Sequence, residues 1–567
     1  MGAGVGTGDR RRGTAAGLFG AALLVAGTVL TSGGGAYAQP SSTPSPGGHS
    51  AGRGEDGRHG GKGDGRDGGR GDDREDDRGR GAEPARNRAG DAEPTGTGGP
   101  AGPTAPGAGG TPSTTPPAGP SGTPATAPSG PPATPAAGRP VPPAGAVLAS
   151  AEAGPAAALP TSQGLQQALA AALGDRNLGT VSFAVADAAG GQPLYGLGEN
   201  TPATPASTTK LATTVAALSL IPADTRLTTR VVKGANPGEI TLVGGGDPTL
   251  TALPPDQVQI GGLPADADTA PASLDALARQ TATALKAAGT TTVKLDYDLS
   301  LYAGNPQHKN HDAANIALVT PLMIDEGKVD PKSREDAPAR VADPAVQAAD
   351  AFAALLKAQG VTVDGRAKPA AAPAAATAPV LGRVDSPTVA RLVERLLTTS
   401  DNTLAEAIAR QAALAAHQPA SFEGAATAVT QELARLGVPM TGVVLGDGSG
   451  LYPGNAIPPA VLVQLLALAA SDHHPTLRPV LTGLPIAGFT GTLGKRFGAG
   501  SGSAEAAGLV RAKTGSLSGV NTLAGTVVDA EGRLLTFALM TKTTASADTA
   551  RAAMDRVVAK LAGCGCH

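Results

Sequence analysis

Apolar residues fall into three regimes along the 567-residue chain. An unbroken run spans residues 15–30. Residues 39–160 then carry almost no apolar periodicity, and from Thr161 onward helical and strand-like repeats alternate to the end. Leu165, Leu169 and Leu173, four apart, predict a helix over 163–173. Alternation predicts a strand over 181–185, and Gly190-Gly191 closes a turn before Leu194-Tyr195. Near the far end, 520–528 and 534–540 read as strands joined by Asp529-Ala530-Glu531-Gly532, a hairpin signal. A helix over 547–561 follows, with Ala550, Met554, Val557, Val558 and Leu561 on one face. The two ends therefore predict one antiparallel sheet covered by terminal helices.

Three further helices, over 211–220, 388–397 and 404–415, lie between these ends, and 430–436 reads as a short amphipathic helix. A second set of elements sits among them: strands at 229–232 and 239–243 around Asn236-Pro237-Gly238, strands at 292–297 and 361–363, and helices at 273–288 and 345–359. So long a stretch is not a loop. It predicts an inserted domain over about 228–385, dividing a body made of 161–227 and 386–563.

The N-terminal regimes have different logic. Arg10, Arg11 and Arg12, the apolar run, and Ala36-Tyr37-Ala38 follow the order of a secretory signal peptide over 1–38. A retained anchor and twin-arginine export stay open as alternatives. Residues 39–160 form an arm, mixed Arg, Asp, Glu and Gly at first and Pro, Thr, Ala and Gly later, with too little to bury to offset ordering entropy. Balanced charge, 45 Lys and Arg against 48 Asp and Glu, leaves no basic face for nucleic acid. The only cysteines, Cys564 and Cys566, lie in the tail 564–567, where a local or intermolecular disulfide and, with His567, a metal-binding tail are the readings.

Three short motifs, each found once, carry the chemistry: Ser207-Thr208-Thr209-Lys210, Ser400-Asp401-Asn402 and Lys513-Thr514-Gly515. Ser207 follows Pro202 and Pro205 and precedes an apolar helical run, which puts it in a first helical turn. Lys210, one turn later, projects from the same face. A serine hydroxyl is a poor nucleophile until a base takes its proton, and a lysine serves only when burial lowers its pKa toward neutrality. Taken singly, the pair reads as a capping serine beside a solvated lysine. Ser400 and Asn402 lie between two helices, where a loop presents a hydroxyl and an amide to a cleft, or Asp401 and Asn402 simply cap the next helix. Lys513, Thr514 and Ser516 precede the hairpin strands on an expected exposed edge. There Gly515 permits close approach, and the backbone N–H groups of Ser516 and Ser207 are candidate oxyanion donors. The order of the three motifs, in a chain that looks exported, favours a joint site. His308-Lys309-Asn310-His311 lacks a carboxylate at a metal-ligand spacing and reads as a solvated loop, and His473-His474 reads as a helix C-cap. No metal or cofactor is expected.

The motif trio resembles serine β-lactamases and penicillin-binding proteins. Gly244-Gly245-Gly246-Asp247-Pro248-Thr249-Leu250, Ser386-Pro387-Thr388-Val389-Ala390, Asp447-Gly448-Ser449-Gly450-Leu451, and Leu484-Pro485-Ile486-Ala487-Gly488 with Gly491-Thr492-Leu493 extend the likeness. Together with the large insertion, they are similar to the low-molecular-mass class C penicillin-binding proteins, the D-alanyl-D-alanine carboxypeptidase/endopeptidase family. The resemblance implies an α+β fold of the penicillin-binding, β-lactamase/transpeptidase-like type. It implies an acyl-enzyme on Ser207, with Lys210 as base, Ser400 and Asn402 on a second wall, and Lys513, Thr514 and Ser516 on a third. The implied substrate is a peptidoglycan stem peptide ending in D-Ala-D-Ala, outside the cytoplasmic membrane, with β-lactams as covalent inhibitors. Asp325-Glu326-Gly327 stands where the family leads one to expect a more hydrophobic stretch. Two alternatives remain: a β-lactamase-like hydrolase, with Glu432 as the extra base, and a non-catalytic wall-binding protein. Oligomeric state is not legible.

Overall fold

The computed structural model describes residues 158–567, except 261, 262 and 336. The signal-peptide and arm readings lie outside the described residues, apart from the arm's last three positions. The main sheet has five strands: β1 (Thr180–Asp187), β2 (Pro193–Leu197) and, after a long excursion, β7 (Val510–Leu517), β8 (Val520–Val528) and β9 (Leu534–Lys542). The excursion supplies β3 to β6, given below. Sheet order is β7-β8-β9-β1-β2, and every pairing is antiparallel. Strands from the two sides of that excursion thus pair, β1 with β9, with Phe183 opposite Leu539.

Its two faces carry different side chains. Phe183, Val185, Leu523, Leu535, Phe537 and Leu539 pack with the helices α1 (Ser162–Leu173) and α10 (Ala547–Ala562), the sheet's terminal cover. Ala184, Ala186, Ala524 and Ala538 face the other way, into a core built from the intervening helices. Large residues on one face fill the gap to amphipathic helices, while alanines on the other let α8 (Pro459–Ala470) lie close to the strands. Burying each leucine or phenylalanine contributes roughly 1.5–3 kcal/mol.

At the centre of the helical layer lies α2 (Thr209–Leu220), buried from Thr209 to Leu218. It packs against α6 (Asn402–Ala415), α7 (Phe422–Arg435), α8 and the short α9 (Arg478–Thr482). A helix enclosed on all sides should be apolar throughout. Lys210 breaks that rule.

A second sheet comes from residues 226–388. It runs β6 (Val380–Thr388), β3 (Arg226–Lys233), β4 (Glu239–Val243), β5 (Thr292–Asp298), with two-residue strands at Thr362–Val363 and Lys368–Pro369 beside β5. Helices α3 (Leu274–Ala287) and α4 (Pro344–Ala358) cover it around Phe352. Asp325, Glu326 and Gly327 all have positive φ, and Glu326 is buried. Its carboxylate pairs with Lys328 at 2.6 Å and with Arg395, on α5 (Val389–Thr399), which ends at Ser400. These two cations hold its pKa down to about 2 against burial. A compensated charge thus occupies the place where an apolar stretch was expected.

One smaller reading changes, and the local disulfide among the readings of the tail is met. The histidines after α8 do not cap it, because Ser471 is the C-cap and His474 only closes the next turn on the Ser471 carbonyl. The C-terminal tail is docked: Cys564 and Cys566 form a disulfide within the core beneath α1, and the Thr161 N–H donates to the Cys566 carbonyl. Among the described residues no helix is long and apolar enough to cross a membrane.

Candidate active site

Ser207 sits in a short 3₁₀ turn, Ala206–Thr208, that leads into α2. The turn is entered through Ala206 at φ 47°, a left-handed conformation that costs a non-glycine residue on the order of 1 kcal/mol. It is held by the Thr208 hydroxyl on the Pro205 carbonyl at 2.7 Å and by the Thr522 hydroxyl, from β8, on the same oxygen at 2.8 Å. The second bond ties the Ser207 turn to the main sheet.

Lys210 is buried, and its ammonium has three acceptors: Ser207 Oγ at 3.0 Å, Asn402 Oδ1 at 2.7 Å and the Ser449 carbonyl at 2.6 Å. Burial pushes its pKa down to about 8, against the opposing pull of Asp447, Glu406 and Asp401. Asn402 is oriented by its other end, which donates to the Asn315 carbonyl at 3.0 Å. Asp401 is the N-cap of α6 and accepts from Leu404 N–H, so one tripeptide both caps a helix and, through Asn402, contacts Lys210. Ser400 is the αL C-cap of α5 (φ 60°, ψ 30°), a second non-glycine residue held left-handed at the cleft.

The third motif meets the other two on β7, an edge strand. Lys513 donates to Ser400 Oγ and to the Thr514 carbonyl, both at 2.7 Å. Burial, and then the charge on Lys210, push the Lys513 ammonium well below its ordinary range. Among the described residues no carboxylate bonds to it, so an anionic ligand would supply its missing countercharge. Thr514 shares a 2.8 Å hydrogen bond with the Thr492 hydroxyl. The Ser516 hydroxyl is taken by Arg551 at 3.1 Å and lies 3.4 Å from Asn521 Oδ1. The edge is only partly open: Pro485–Ala487 bonds along the first half of β7 through Ala487 N–H to Val510 and Ala512 N–H to Pro485.

Gly515 explains how β7 and the Ser207 turn come so close. A Cβ there would lie 2.8 Å from the Pro205 carbonyl and 3.0 Å from Ser207 N, and would strike Thr522 Oγ1. Gly515→Ala is therefore expected to cost about 1–3 kcal/mol of stability. It should also lower the reactivity of the Ser207 hydroxyl about tenfold, on the scale of a small misplacement, with thermal melts and covalent-labelling rates read on one preparation. Unchanged rates would show that this approach is not needed.

Sequence reasoning missed several partners. Ser449 acts here through its carbonyl, not its hydroxyl, and its loop is clamped: Glu406 accepts from Gly448 and Ser449 N–H, and Asp447 from Gly450 and Tyr452 N–H. Gly450, at φ 86°, is required because a Cβ would run into the Ala206 carbonyl. His311 is not solvated; its imidazole is 1% exposed and lies 2.7 Å from Asp447. Glu432 is neither solvated nor at the site, but bound by Arg435 at 2.6 and 2.8 Å and by Ser219. A face of α6 with Asn402, Glu406 and Arg410, four apart and polar in a buried helix, was the available signal.

Known proteins share this arrangement of chain. Residues 165–339 and 333–561 match the profile described as D-Ala-D-Ala carboxypeptidase 3 (S13) family. Carboxypeptidase DacB of Mycolicibacterium smegmatis is 37% identical over 416 residues, covering 72% of this chain and 85% of its own. A D-alanyl-D-alanine carboxypeptidase of Actinomadura sp. strain R39 is 30% identical over 411 residues, covering 62% of this chain and 75% of its own. Among solved structures, penicillin binding protein 4 of Haemophilus influenzae superposes with TM-score 0.54 at 20% identity, covering 70% of this chain and 98% of that one. The likeness in fold fits the helix-flanked antiparallel sheet, and the sequence match extends from α1 to α10. This chain belongs to the D-Ala-D-Ala carboxypeptidase 3 (S13) family of peptidases.

Proposed function

We propose that this peptidase is a serine-type D-Ala-D-Ala carboxypeptidase that trims peptidoglycan stem peptides through an acyl-enzyme on Ser207. One observation carries the reading: the amine of Lys210 lies between Ser207 Oγ and two fixed acceptors, Asn402 Oδ1 and the Ser449 carbonyl. A neutral amine has two N–H bonds and one lone pair. Those acceptors engage both N–H groups, so the lone pair faces the serine hydroxyl. Ser207 Oγ attacks the carbonyl of the penultimate D-alanine while its proton passes to Lys210. Backbone N–H groups of Ser207 and Ser516 receive the oxyanion, and loss of one such donor typically costs ~10²–10³ in rate. The proton taken up by Lys210 passes through Ser400, which Lys513 holds by a hydrogen bond, to the departing D-alanine amine, so that Lys210 is neutral once more. Water then cleaves the ester with Lys210 again as base. Lys513, Thr514 and Ser516, with Arg551 beside them, hold the terminal carboxylate.

A β-lactam presents a strained amide and a carboxylate to the same groups and would acylate Ser207. The candidate extra base for fast release of that adduct, Glu432, is committed to Arg435 and Ser219, which favours a persistent adduct over β-lactamase turnover. In this reading residues 228–385 form the inserted domain. The protein works outside the cytoplasmic membrane, where stem peptides lie and where the signal-like order of residues 1–38 would send it. Incubation with a defined stem pentapeptide, followed by mass spectrometry, should show loss of one terminal D-alanine. An intact pentapeptide under conditions where penicillin labels the protein would refute the carboxypeptidase assignment.

A further inference from the structure

Between the first two motifs the chain passes through a buried imidazole that the reaction scheme above does not use. His311 Nε2 lies 2.7 Å from Asp447 Oδ2. Its ring is packed by Phe422 at 5.4 Å, edge to face, and by His308 at 4.6 Å. The segment that delivers it is fixed: buried Arg410, on α6, donates to the carbonyls of Ala303, Asn305 and Ala420. The His311 N–H closes a turn on His308, and Gln307 holds the His311 carbonyl. Nδ1 is buried without a partner. With no partner at Nδ1, the ring's hydrogen bond is made through Nε2, aimed at Asp447 Oδ2.

Asp447 is the hub of the 447–452 loop. Oδ1 accepts from Gly450 N–H at 2.9 Å and Asn455 Nδ2 at 2.6 Å, and Oδ2 from Tyr452 N–H at 2.7 Å, with the Ser449 hydroxyl at 3.3 Å. The Ser449 carbonyl then receives the Lys210 N–H. His311, Glu406 and Asp447 gather donor atoms within 4.8 Å, a spacing open to a metal ion. However, both carboxylates are already turned onto loop N–H groups, so their lone pairs build the loop.

We propose that His311 is a positioning residue for proton transfer: through Asp447 it fixes the Ser449 carbonyl and so aims the lone pair of Lys210 at Ser207. The inference rests on the reading of Lys210 as base. Displacing that carbonyl by a fraction of an ångström rotates the amine, and misplacements near 1 Å cost on the order of 10²-fold in rate. The charges around the pair are Asp447, Glu406 and His308 facing His311, and Asp401, Glu406, Asp447 and Lys513 facing Lys210.

The test compares second-order acylation rates by a fluorescent penicillin, across pH, for wild type, His311→Leu, His311→Asn and His311→Gln. Glutamine places an N–H donor near the position of Nε2, while asparagine falls short and leucine has none. Leucine and asparagine should slow acylation roughly ten- to a hundredfold and move the acid limb of the pH profile upward, because Asp447 then holds the Lys210 proton more tightly. Glutamine should restore the rate to within about threefold of wild type, on the same scale of positional effects. If leucine gives no folded protein, the asparagine and glutamine pair carries the comparison. Wild-type rates in asparagine, equal rates in asparagine and glutamine, or an unmoved acid limb would overturn the proposal. Because each rate is relative to wild type acylated at Ser207, such a result would leave the roles of Ser207 and Lys210 standing.

Discussion

Ser207→Ala is expected to lose penicillin labelling completely and to lower peptide hydrolysis by at least ~10⁴-fold, as when other serine hydrolases lose their nucleophile. The fold should survive. Ser207 is partly buried, and its hydroxyl accepts one hydrogen bond, from Lys210, which keeps two other acceptors. The turn around it is held by Thr208, Thr209 and Thr522, none of which bonds to the serine hydroxyl. Labelling read alongside a thermal melt separates chemistry from stability. Equal labelling of variant and wild type would remove Ser207 from the mechanism.

Lys210→Arg tests the base. Arginine keeps the charge and donors for Asn402 and the Ser449 carbonyl, but a guanidinium does not give up its proton in a protein. Acylation should fall by ~10²–10⁴-fold, the range for losing a general base. The wild-type enzyme offers a matching measurement. Burial brings the Lys210 pKa to about 8, so the active, neutral amine accumulates as pH rises, and the acylation rate should climb with an inflection near that value. The sign for stability follows the same shift. The unfolded lysine keeps its proton to about 10.5, whereas the folded one releases it near 8, so between those values unfolding takes up a proton. This group's contribution to stability therefore rises with pH across that window. An acylation rate flat from pH 6 to 9 would exclude titration of this lysine from the rate-determining step.

Local signals in the chain sufficed for much of this architecture. The leucines of α1, the Asp529–Gly532 hairpin and the amphipathic α10 each report burial on one face, and a face is readable from spacing. The three motifs were legible for the same reason: S-x-x-K spans one helical turn, and Gly515 marks a strand that another backbone must approach. What escaped depends on contacts between distant segments. His311 looked solvated because its partner is 136 residues away, and nothing near it in sequence is a carboxylate at a useful spacing. Glu326 looked out of place because Arg395, which neutralises it, lies on another element. The Ser449 carbonyl was hidden in a different way, since a backbone acceptor has no sequence signature and only Gly450 betrays the close approach. Asn402, Glu406 and Arg410 on α6 were the legible trace of that polar network: three polar residues at helical spacing in a helix too buried to spare them without partners.

The proposed activity requires three distant motifs to form one nucleophilic centre. The most direct measurement is intact-mass analysis of the protein after brief exposure to a β-lactam, followed by proteolysis and mapping of the modified peptide. One adduct per chain is expected, carried on Ser207, formed faster as pH rises toward about 8 and absent from Ser207→Ala. An adduct on another residue, or no adduct from a folded protein at any pH, would contradict it.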